Sequence, residues 1–101
     1  MTHRWRTAAE RRRELEELAA AVGMSMDEAL TRIDRVLDAL LRERHPDVTA
    51  QLVFAGYPVT WEGAAAAVEH FARVGGDALT ADILDTVLFT ATVSAVQIAL
   101  P

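Results

Sequence analysis

Apolar residues recur every three to four positions along most of this chain, and polar breaks divide it into five segments of helical period. The clearest is Met26 to about Arg44, where Met26, Leu30, Ile33, Val36, Leu37, Leu40 and Leu41 fall within one arc and Arg32, Arg35, Asp38 and Arg42 lie opposite. Glu28 with Arg32 and Asp38 with Arg42 add acid-before-base pairs one turn apart. A preceding helix runs from about Ala8 to Val22 with Leu15, Leu18, Ala19 and Val22 on one face, and Gly23 is placed to stop it. Thr7 with Glu10 and Ser25 with Glu28 each fit the capping box, in which a hydroxyl and a carboxylate three residues on satisfy two orphaned backbone N–H groups.

His45-Pro46 ends the second helix, since the residue before Pro avoids the α region, and a short third helix over about 47–55 follows. Gly56-Tyr57-Pro58 separates it from a fourth, Trp61 to Val74, for which Thr60 is the candidate cap and Gly75-Gly76 the stop. The alanines at 64–67 let a neighbouring helix approach closely, while Trp61, Val68 and Phe71 supply bulk. Thr80 is positioned to cap a long fifth helix reaching about Leu100. The only alternating stretch of any length is Thr2 to Thr7. The pattern predicts an all-α fold: one domain over 1–101, a compact bundle of about five helices, with 1–6 as a basic N-terminal arm and the fifth helix strongly apolar.

That fifth helix differs from the rest. One face carries Ile83, Leu84, Val87, Leu88, Ala91, Ala95 and Ile98, as a core helix should. The other begins polar with Asp82, Asp85 and Thr86 and then turns apolar through Phe89, Val93, Val96 and Leu100. A helix apolar on two sides needs cover on both, either as the central helix of the bundle or by meeting another chain. The Phe89, Val93, Val96 and Leu100 stripe is therefore the candidate interface, and the partner it implies is a second copy or another protein. The uncharged run from Thr86 to Leu100 spans only about 22 Å as a helix, short of a hydrocarbon core of roughly 30 Å, so no membrane span is expected there.

Composition narrows the chemistry. The chain has 101 residues, no Cys, and arginine as its only strongly basic residue, which excludes disulfides, thiolate nucleophiles, Schiff-base lysines and P-loop lysines. The three histidines, at 3, 45 and 70, form no helical ligand pair. Ser25 reads as a cap and Ser94 lies in an apolar helix with no nucleophile-elbow glycines around it. Gly75-Gly76-Asp77 lacks phosphate-loop spacing. No enzyme, metal site or cofactor is expected. The N-terminal charges run into Glu14, Leu15, Glu16 and Glu17 instead of an apolar signal core, which places the chain in the cytoplasm by expectation.

Charge is distributed unevenly. Residues 1–13 hold five arginines (4, 6, 11, 12 and 13) against Glu10, about +4, so of the net −5 the remainder carries about −9. Arg11 to Arg13 read as a solvated helix face, with contact to a nucleic acid or an acidic surface as the sharper possibility.

The segment Leu18-Ala19-Ala20-Ala21-Val22-Gly23-Met24-Ser25, followed by a helix, resembles the helix–Gly–turn–helix junction of helix-turn-helix and ribbon-helix-helix regulators. The ribbon-helix-helix likeness covers about the first 43 residues. It implies a dimer whose Thr2 to Thr7 strand turns Thr2, Arg4 and Arg6 toward DNA and Trp5 inward. Arg11 and Arg12 depart from it, standing where that family buries residues of its first helix.

The principal expectation is a non-enzymatic helical interaction module that self-associates as a homodimer or binds a protein partner. The alternatives are a dimeric DNA-binding regulator using the basic arm, and a binder of apolar small molecules with a pocket beneath the fifth helix.

Overall fold

The computed structural model describes residues 5–73 and 77–96. Among them lie five helices and no strand: α1 (Ala8–Ala21), α2 (Met26–Arg44), α3 (Pro46–Phe54), α4 (Trp61–Arg73) and α5 (Ala78–Val96). The all-α bundle is as the periodicity predicts; α1 to α4 start within one residue of their expected positions, and α5 starts at Ala78, three residues before the start that a Thr80 cap implies. Of the alternating segment, Trp5 to Thr7 has no regular structure, and Thr2 to Arg4 lie outside the described residues.

The two capping boxes resolve differently. At Thr7 both halves form: the hydroxyl accepts the Glu10 N–H at 3.1 Å and Glu10 accepts the Thr7 N–H at 2.9 Å. At Ser25 only the hydroxyl half forms, accepting the Glu28 N–H at 3.1 Å, while the Glu28 carboxylate pairs with Arg32 at 2.9 Å. A carboxylate with a guanidinium one turn away follows the charge-assisted bond. The cap of α5 also differs from expectation. Asp77, not Thr80, accepts the exposed N–H, from Thr80 at 3.0 Å, and Thr80 itself is buried with its hydroxyl 2.7 Å from Asp77 Oδ2 and 2.9 Å from Gln51 Oε1. These two hydrogen bonds from Thr80, side chain first, hold the Asp77 carboxyl below its ordinary range.

Carboxylates from other helices finish two N-termini. Asp34 of α2 accepts the Trp61 N–H at 2.8 Å, and Glu69 of α4 accepts the Ala8 N–H. Each anion sits at the positive end of a helix it does not belong to, so helix charge and tertiary packing reinforce each other.

α5 packs most extensively, against α4 and α2; α1 lies on α4 and α2, and α3 closes the end between α2, α4 and α5. The core joins Ile33, Leu37 and Leu41 of α2 to Ala64, Ala65, Ala67 and Val68 of α4 and Ala81, Leu84, Leu88 and Ala91 of α5. Small residues on α4 let the large leucines of its neighbours reach the centre. Gly63 serves the same closeness at the entry to α4: a Cβ there would stand 2.1 Å from the Pro58 carbonyl oxygen, so no side chain fits without moving the backbone. α5 is long and apolar enough to cross a membrane by length and composition, and here it packs against α4, α2 and α3.

Candidate interaction surface on the fifth helix

α1 and α5 both lie on α4 and α2, and a groove of about 450 Å³ runs between them. Its apolar lining comes from Trp5, Leu15, Leu18, Trp61, Leu88 and Phe89. Both tryptophans of the chain are in this one groove. Trp61 is buried at the start of α4 and Trp5 is half-buried ahead of α1.

Two ion pairs stand along the same groove. Arg6 meets Glu14 at 2.8 Å, both largely exposed. Arg11 reaches from α1 to Asp85 of α5, also at 2.8 Å, with its side chain only 10% exposed. Its Nε is buried and has no acceptor among the described residues. The expected solvated face of Arg11 to Arg13 is thus corrected at Arg11. The spacing held the signal: Ala8, Arg11, Leu15 and Leu18 follow one helical stripe, so Arg11 sits on the buried side of α1. Arg12 pairs with Glu62 of α4 at 3.2 Å.

On α5 the inward side is closed: Ala81, Leu84, Val87, Leu88, Ala91 and Ala95 are all buried. Ile83 is half-buried and Ile98 lies outside the described residues. The outer side is open at Asp82, Thr86, Phe89 and Thr90. Phe89 is 71% exposed at the rim of the groove, and Val93, one turn on, is half-buried. Val96 departs from the expected stripe. It has no exposed surface and belongs to the buried core cluster, so within this chain it is a core residue and not an open inter-chain contact. Leu100 lies outside the described residues, as do Thr2 and Arg4 of the DNA-facing candidates. Arg6, the remaining candidate, is engaged by Glu14.

Comparison with known proteins leaves this geometry on its own. No protein-family model, no curated protein and no solved structure matches the chain.

His45, Asp82, Ile83 and Thr86 line a second, shallower hollow, and no three potential metal ligands gather among the described residues. His70 lies between the rings of Tyr57 and Phe71, with centroids 5.7 and 5.5 Å away, a packing role. A separate exposed apolar set, Val53, Phe54 and Leu79, lies where the Gln51–Thr80 contact joins α3 to α5. Sequence reasoning missed it, because Val53 and Phe54 sit in a helix too short for a sharp periodic signal.

Proposed function

We propose that this chain is a non-enzymatic helical interaction module that self-associates as a homodimer through the outer face of α5. The observation that carries this reading is Phe89, held 71% exposed on a stretch of α5 that has no ionisable residue from Thr86 to Val96. A large aromatic on an uncharged face, at the mouth of an apolar groove, is unfavourably exposed to water, and covering it with a partner lowers the free energy. Covering one large apolar side chain contributes about 1.5–3 kcal/mol, and association itself costs several kcal/mol. The patch is small, so the expected dimer is weak and forms with rising concentration.

Sedimentation velocity over a concentration series, with circular dichroism alongside, tests this on the wild type and Val93→Asp. The expected result is a wild-type monomer–dimer equilibrium and a Val93→Asp monomer of unchanged helix content. A wild type monomeric up to roughly millimolar concentration overturns the reading, as does loss of helix in Val93→Asp, which would assign Val93 to the core of its own chain.

The groove supports a second reading, a binder of an apolar small molecule, because its volume lies in the range of roughly 300–1,000 Å³ usual for such sites. Native mass spectrometry of the freshly purified chain reads this directly as an added mass. The DNA-binding reading draws less support, since Arg6, Arg11 and Arg12 are each bonded to a carboxylate that a phosphate would have to displace.

A further inference from the structure

We infer that the receptor for Phe89 is the α1–α5 groove of a second copy, so that each chain supplies one knob and one hole. This rests on the self-association proposed above and adds where the two copies engage. Phe89 stands at the rim of the groove, so knob and hole lie side by side on one face of the molecule. Self-complementarity of that kind is what a two-fold axis requires: rotation about an axis between them brings each Phe89 over the partner's groove at the same time.

Three properties of the groove favour this occupant. Its volume of about 450 Å³ admits a phenyl ring with room for part of the helix that carries it. Trp5 and Trp61 give the ring aromatic neighbours, which it meets edge-on or offset at centroid separations of roughly 4.5–7 Å. The third property is charge. Two copies of a chain of net charge −5 repel, and they approach at lowest cost where neither presents unpaired charge. The carboxylates on the groove, Glu14 and Asp85, are each bonded to an arginine, Arg6 and Arg11, and α5 beyond Asp85 is uncharged to Val96.

The test is a complementation experiment read by sedimentation. Phe89→Ala keeps the hole and loses the knob; Leu18→Glu, on the α1 wall, keeps the knob and spoils the hole. Each variant alone is expected to dimerise at least about tenfold more weakly than wild type. An equimolar mixture is expected to recover dimer, because the mixed pair seats one Phe89 in an intact groove and places no ring in the spoiled one. Should Leu18→Glu lose helix content, Glu14→Trp fills the same groove from a half-exposed position on α1. Tryptophan emission of the wild type is expected to move to longer wavelength on dilution, and that of Phe89→Ala to stay constant. A monomeric wild type overturns the self-association reading and this inference together. A dimeric wild type whose groove-spoiled variant still dimerises like it, or whose mixture stays monomeric, overturns the seating alone.

Discussion

α2 and α5 are both 19 residues long, yet they meet their surroundings in different ways. α2 buries Ala29, Ile33, Leu37 and Leu41 along one line and gives the opposite side to charge, with Glu28–Arg32 and Asp38–Arg42 at 2.9 and 2.8 Å. Water completes it. α5 buries twice as many residues, eight against four, and beyond Asp85 its outer side carries Phe89 and Val93 with hydroxyls in place of charges. The lesson is that burial within a chain and cover for a helix are separate quantities: α2 has a polar side that suits solvent, whereas α5 has exposed apolar surface even after packing on its neighbours.

The contrast is broken most severely through the core. Leu37 of α2 is fully buried, so Leu37→Ala removes its contacts and leaves a cavity, and about 2–5 kcal/mol of stability is expected to go. Phe89→Ala, on the open side of α5, is expected to change the stability of the monomer by no more than about 0.5 kcal/mol, since the ring is mostly in water. Urea unfolding at a concentration below the dimer range compares the two. Equal losses would mean that the outer side of α5 is core after all.

Arg11 sharpens the comparison where α1 reaches α5. Its side chain is nine-tenths buried, bonded to Asp85 through one nitrogen and unmet at Nε among the described residues, whereas the Asp85 side chain is 43% exposed. Arg11→Met keeps most of the packing and removes the unmet donor, and Asp85 then turns to water. The expected change in stability is small, within about 1 kcal/mol of zero and on the stabilising side if anything. A loss of about 3 kcal/mol or more in thermal or urea unfolding would show that the Arg11–Asp85 pair holds α1 in place.

The smallest effect belongs to the start of α5. Asp77 has its pKa lowered from the ordinary 3.8 by the Thr80 hydroxyl and, less, the Thr80 N–H. A depressed carboxyl contributes stability that is present above the unfolded value and lost as pH falls through the folded one. Asp77→Asn keeps an acceptor for the cap but no charge. Wild type is therefore expected to unfold at a slightly higher temperature than Asp77→Asn at pH 6, with the difference vanishing near pH 2. A difference unchanged between the two pH values would remove the carboxylate's charge from the account.

Much of this architecture is legible in local sequence, for identifiable reasons. The helical period of α2, the Thr7 capping box, the Gly23 stop and the His45-Pro46 break depend on residues within one or two turns of each other, and local sterics and backbone hydrogen bonding decide them. The doubly apolar character of α5 was readable in the same way. What tertiary structure alone decided involves residues far apart in the chain. Arg11, on the buried side of α1, finds its partner in Asp85, 74 residues on; Val96 has no exposed surface; Asp34 and Glu69 cap helices to which they do not belong. The groove is of this kind too, since its walls come from α1 and α5 and its tryptophans from two further places. Periodicity shows which sides of a helix want cover, but only the arrangement of helices in space determines which of those sides the chain covers itself.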